Sequence, residues 1–128
     1  PDIAGVYACE GTNPAGKPYR GIVEIVQRGR VVQLRWIFDD EYTYGLGIFV
    51  DGRLSVTQFS GTETQLLPVV ATYRQTKKSP RTLTGEWVVF GSDGIYPEVL
   101  RQVPAGHVVP VQPPAIRPHG HDDTLIPA

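Results

Sequence analysis

The sequence contains no methionine, one cysteine (Cys9), and no histidine before His107. A single cysteine excludes an internal disulfide and any cysteine-built zinc cluster. The histidine gap denies residues 1–106 a Ser–His or Cys–His pair unless the C-terminal stretch folds back. No apolar run reaches the 18 or more residues of a membrane-spanning helix. Positive charge is also sparse. The net charge is −1, and Lys77-Lys78 is the only adjacent cationic pair. A partner such as DNA, RNA or anionic lipid is therefore not expected, since nucleic-acid binders carry a basic patch or stripe. A helical stripe is missing too.

What is present is alternation with period two, the mark of half-buried strands. In "RVVQLRWIF" (30–38), Val32, Leu34, Trp36 and Phe38 share one face. "GIVEIVQ" (21–27) joins it through Arg28-Gly29 as a tight hairpin. "YGLGIFV" (44–50) and "RLSVTQFS" (53–60) meet at Asp51-Gly52, a pair suited to a type I′ turn because both central residues need positive φ. "LLPVVATYRQ" (66–75), "TLTGEWVVF" (82–90) and "YPEVLRQV" (96–103) follow, and "GVYACEG" precedes them all. Eight short strands with short turns predict an antiparallel meander. At eight strands a meander can close and remove its edges. The expected fold is all-β: an up-and-down barrel over 1–103, with an open sandwich as the alternative.

From Pro104 the composition changes. The last 25 residues hold 6 of the 12 prolines and show no alternation. Residues 104–128 are expected to be an extended, proline-rich tail rather than a second domain. It is either a spacer or, given its valines and isoleucines, a segment that lies along a surface. Val108, Val109, Val111, Pro113, Pro114, Ile116 and Arg117 are its candidate partner contacts.

Gly5-Val6-Tyr7 resembles the Gly-x-Trp opening of calycin barrels (lipocalins, fatty-acid-binding proteins, avidins). That resemblance implies closure of the barrel by Gly5, Tyr7 and a basic residue of the last strand, Arg101. A longer pattern runs through "YACEGTNPAGKPYRGIVEI", "VVQLRW", "YGLGIFVDGRLSV", "VVATYR", "LTGEW" and "EVLRQV". It is similar to a family of small exported alphaproteobacterial barrels loosely labelled "fibronectin-binding protein", and the tail lies outside that pattern. Export agrees with a chain that begins Pro1-Asp2, directly before the first strand, as after removal of a signal peptide. Read on its own chemistry, "GTNPAGKP" is a turn: Asn13-Pro14 initiates it and Gly16 supplies positive φ.

Catalytic groups are not assembled in this pattern. Cys9 shares the inward phase of Tyr7 and is expected to behave as a small buried hydrophobe. Glu24 and Glu86 alternate with apolar residues and face solvent. Glu98 has the phase of Leu100, which would take it to a barrel end beside an arginine. Asp39-Asp40-Glu41 reads as a solvated loop. "HGHDD" (119–123) has ligand types but no visible geometry for a metal site, so neither metal nor cofactor is expected. Two non-enzymatic readings remain. The first is an accessory barrel that docks on a larger exported or membrane-associated assembly through its tail, with Tyr42, Tyr44, Phe49 and Tyr96 as rim contacts. The second is a carrier of a small apolar ligand, held by Tyr7, Trp36, Phe38, Tyr73 and Trp87. An eight-stranded barrel is barely wide enough for its own side chains, so a filled interior competes with a hollow one. Gly45 and Gly47 mark either a slot or a bend.

Overall fold

A computed structural model describes residues 2–39, 41–62 and 64–104. Eight strands, β1 (Gly5–Thr12), β2 (Pro18–Arg28), β3 (Val31–Phe38), β4 (Glu41–Val50), β5 (Arg53–Thr62), β6 (Gln65–Gln75), β7 (Thr82–Val89) and β8 (Tyr96–Gln102), follow one another in space as in sequence. β8 then pairs antiparallel with β1, Leu100 opposite Cys9, so the sheet closes into a barrel. Closure gives every strand a hydrogen-bonded neighbour on both sides, which removes the free edge at which sheets aggregate. The barrel was the expected architecture, and the open sandwich is excluded.

The meander puts alternate connections at opposite ends. One end, called here the floor, carries the β2–β3, β4–β5 and β6–β7 turns together with the start of β1 and the end of β8. The other, the mouth, carries the remaining four connections. At the floor, Asp51 and Gly52 both have positive φ, 51° and 79°, the type I′ pattern that Asp-Gly favours. The β2–β3 turn sits one residue later than expected, on Gly29-Arg30. Arg28 pairs with Val31, and Gly29 carries the positive φ of 62°. Glycine alone at the first central position with positive φ is the II′ arrangement.

Period-two alternation turns one side of each strand inward. Val23, Val32, Trp36, Leu54, Leu83 and Leu100 are fully buried there. Ile3 plugs the floor: its N–H donates to Gln27 Oε1 at 2.8 Å, and its carbonyl accepts from the Tyr7 hydroxyl at 2.8 Å. Burying a large apolar side chain contributes roughly 1.5–3 kcal/mol, so this inward row supplies most of the drive to close the sheet.

Candidate functional site

β8 carries Glu98 into the interior in phase with Leu100, and only 3% of its surface stays exposed. In the sheet it lies opposite Gly11 of β1 and opposite Gly85 of β7. Neither glycine has a side chain, so rings from the next strands take the space. Tyr19, the partner of Gly11, lies over it, and Tyr73, the partner of Gly85, lies over that one. A Cβ at either glycine would clash with the ring above it. Both hydroxyls thereby reach the carboxylate. Tyr19 donates to Oε1 at 2.6 Å, and Tyr73 donates to Oε2 at 2.6 Å. The Trp36 indole N–H donates to Oε2 at 3.1 Å. One glutamate thus ties β8 to β2, β3 and β6 across the barrel.

Taking a carboxylate out of water costs several kcal/mol. Hydrogen bonds to a charged group return about 1.5–3 kcal/mol each, so three donors are what make this burial tolerable. Glu98 in turn holds its neighbours protonated. Burial, then the Glu98 charge, push the Tyr19 and Tyr73 phenols well up. The same two effects push the Cys9 thiol well up. A thiol kept protonated is a poor nucleophile, so the cluster offers hydrogen-bond donors rather than reactive groups.

Above Glu98 the mouth is aromatic. Tyr19 stands edge-on to Phe38 at 5.6 Å and to Trp87 at 6.4 Å, and Trp87 meets Tyr96 at 5.0 Å. Tyr96 is held by a hydrogen bond with Ser92. Tyr19, Phe38 and Trp87 are only partly buried, and they form the lid of the core. The Trp87 indole nitrogen is buried, yet it has no hydrogen-bond partner of sound geometry among the described residues. Its nearness to the Tyr19 hydroxyl registers only as a minor downward pull on that phenol.

The expected ligand residues separate into two groups. Trp36, Phe38, Tyr73 and Trp87 gather at Glu98 and the mouth, whereas Tyr7 is at the floor, bonded to Ile3. The expected closure by Arg101 is not formed. Tyr7 pairs with Gln102 and Ala8 with Arg101, so Arg101 takes the outer phase and approaches Glu10 at 3.5 Å. Gln102 is the residue that covers Gly5, its amide donating to the Ala4 carbonyl at 3.4 Å. Phe49, expected at the rim, is 7% exposed and packs in the core. No arginine reaches Glu98 among the described residues; its partners are phenols and an indole. Tyr42 and Tyr44 lie on the outer wall, where Arg35 stacks on Tyr42 at 4.8 Å. Gly45 and Gly47 open no slot. The Trp36 ring comes within 2.6 Å of where a Cβ on Gly45 would sit, and Val56 and the Ser55 carbonyl crowd Gly47. Cys9 is buried, as its phase implies. The proposed contacts from Val108 to Arg117, and the His107 and 119–123 stretches, lie outside the described residues.

Tyr19 was not singled out in the sequence. The signal was there: Tyr19, Gly21 and Val23 share one phase, and inward glycines at 11 and 85 leave ring-sized gaps on either side of Glu98.

No family model matches the chain, and no curated protein matches it either. Solved structures do. The chain is similar to a redesigned β barrel, b11L5F_LGL, with a TM-score of 0.61 and 15% identity, covering 80% of this chain and 92% of that one. It is also similar to a redesigned β barrel, mFAP1, bound to DFHBI, with a TM-score of 0.62 and 16% identity, covering 78% of this chain and 94% of that one. At such identities the likeness is one of fold: a closed, eight-stranded antiparallel barrel.

Proposed function

We propose that this protein is a non-catalytic binding barrel that takes a small planar ligand at its mouth, held between Tyr19, Phe38, Trp87 and Tyr96. The observation that carries this reading is the Trp87 indole N–H, buried at the mouth with no hydrogen-bond partner of sound geometry among the described residues. A buried donor left unsatisfied costs about 1–3 kcal/mol, and a ligand acceptor would relieve that cost. The site differs from a hollow carrier's, because Trp36, Tyr73 and Glu98 already fill the space beneath. The designed barrel of similar fold whose structure holds DFHBI supports the idea that this architecture takes a small ligand. The non-enzymatic part of the proposal rests on the donor chemistry of the cluster, where burial and then the Glu98 charge push the Cys9 thiol and both phenols up. Kinship with the small exported alphaproteobacterial barrels, and export itself, belong to the proposal and rest on the motifs of residues 5–103.

The test is calorimetric titration with DFHBI and with a panel of planar aromatics that carry acceptors. Trp87→Phe keeps the ring and removes the donor. A lost hydrogen bond of about 0.5–1.5 kcal/mol predicts roughly 2- to 13-fold weaker binding. Saturable binding that Trp87→Phe leaves unchanged would place the ligand elsewhere.

The accessory reading retains one supporting observation. Phe59, Leu66, Val70 and Val88 stand exposed on the outer wall of β5–β7, and Phe90 directly follows β7 toward the mouth, also exposed. Exposed apolar groups of this kind favour a protein contact.

A further inference from the structure

The near-neutral total charge averages two unlike ends. At the mouth Asp39 and Asp93 lie in the connections and Glu41 opens β4, against the single cation Lys17 in the described part of those connections. At the floor every turn is basic. Arg28 precedes the first and Arg30 lies in it, and Arg53 follows the second. Arg74, Lys77 and Lys78 enter the third, with Arg81 leaving it, and all are exposed. The acids nearby are Asp51, in the second turn, and Asp2, whose carboxylate is occupied by the Ala4 N–H. Among the described residues the ion pairs join Arg20, Arg35 and Arg101 to Glu10 and Glu24, and no cation of the three floor turns takes part.

Two features show that this is more than a solvated rim. Arg53 and Arg74 are direct cross-strand partners, both exposed on the same outer face. Like charges placed directly opposite destabilise a sheet, and an anion between them reverses the sign. Large apolar residues also stand among the cations. Val31 pairs with Arg28 on one side and with Ile48 on the other, while Val50 pairs with Arg53. Val26, Val31 and Ile48 are each more than half exposed. They lie within three residues of the floor turns, about 10 Å at the rise of a strand.

We infer that the floor is a docking surface for an anionic lipid bilayer, which the barrel meets end-on. The cations engage headgroup phosphates, and the valine–isoleucine collar settles into the headgroup–acyl boundary. That boundary is about 5–10 Å deep for interfacial elements. A soluble polyanion satisfies the charges but gives the collar nothing, because apolar groups beside phosphates gain no burial. Spanning is disfavoured by the outer wall, where Glu24, Arg35, Glu86 and Arg101 occupy the positions a lipid-facing belt would need apolar. Docked this way, the aromatic mouth points away from the membrane, open to solvent. The inference stands apart from the ligand proposal, since the two use opposite ends.

The experiment is flotation of the full chain with vesicles of phosphatidylcholine alone and of phosphatidylcholine with phosphatidylglycerol. Two double variants accompany it, Arg53→Gln with Arg74→Gln and Val31→Ser with Ile48→Ser; circular dichroism confirms that both fold. The expected result is binding to the anionic vesicles only, declining with salt. The arginine variant is expected to bind roughly 30-fold more weakly, at about 1 kcal/mol per cation removed, and the collar variant is also weakened. Failure to float with anionic vesicles overturns the inference. So does binding that the arginine variant leaves intact. Loss with the arginine variant, with the collar variant unaffected, reassigns the floor to a soluble polyanion and overturns it as well.

Discussion

Replacing Glu98 by alanine removes the acceptor of three donors at once. Tyr73 and Trp36 are fully buried and bond to Glu98, so each donor, left without it, carries a desolvation cost of about 1–3 kcal/mol. Tyr19 is only partly buried and can turn its hydroxyl to water at the mouth, which makes its share small. Against this stands the relief of no longer burying a carboxylate, a term of the opposite sign. The balance predicts a loss of about 3 kcal/mol, a large fraction of the 5–15 kcal/mol that a domain commonly possesses. Glu98→Gln keeps one carbonyl acceptor and the volume. Its new NH2 donates to one phenol oxygen, so about 1–2 kcal/mol is expected. The assay is urea unfolding followed by tryptophan emission at constant m-value, with Tyr73→Phe added to close a double-mutant cycle. Coupling between Glu98 and Tyr73 is expected to exceed about 1 kcal/mol. An alanine variant within about 0.5 kcal/mol of the parent would refute the reasoning, because the donors would then have satisfied themselves elsewhere.

Alkali is expected to destabilise the barrel. Burial, with the Asp2 charge adding to it, pushes the Tyr7 phenol up to about 12 from an ordinary 10. The unfolded chain therefore releases this proton first, and the Tyr7 contribution to stability is complete below pH 10 and falls between pH 10 and 12. The loss is about 2–3 kcal/mol from Tyr7 alone, with Cys9, Tyr19 and Tyr73 acting in the same direction; denaturation midpoints across pH 8–12 measure it, and a flat profile contradicts it. Cys9 should resist Ellman's reagent in the folded protein and react only as fast as the chain unfolds, so immediate labelling under native conditions would disprove its burial. Gly85→Ala places a methyl against the Tyr73 ring and the Thr72 carbonyl, with an expected cost of about 1–3 kcal/mol. Gly52→Ala, at φ 79° and with a Cβ that would sit 3.2 Å from the Gln75 carbonyl, should cost about 1–2 kcal/mol. Thermal melts of both glycine variants test these values.

Strand positions were legible in the sequence because alternation is a local signal, and hairpins were legible where Asp51-Gly52 named its own turn. Closure followed from strand number. The centre of the site was harder to see. Glu98 shares the phase of Leu100, yet nothing local says what surrounds it, because its partners come from strands about 25, 62 and 79 residues away. Their convergence depends on register: one residue of slip would have put Arg101, rather than Gln102, opposite Tyr7. The basic floor was hidden for a similar reason. Its cations are scattered along the chain, and only the rule that alternate turns of a meander share an end brings Arg30, Arg53 and Lys77 together.

The chain has two tryptophans, so a proton–nitrogen correlation spectrum contains two indole N–H peaks, and Trp36→Phe assigns them. Titrating a planar acceptor ligand into labelled protein tests the mouth directly. The account predicts a downfield shift of the Trp87 indole proton as it gains a partner, with the Trp36 proton, already bonded to Glu98, nearly still. Saturable binding that moves Trp36 and leaves Trp87 in place would contradict it and put the ligand inside the barrel.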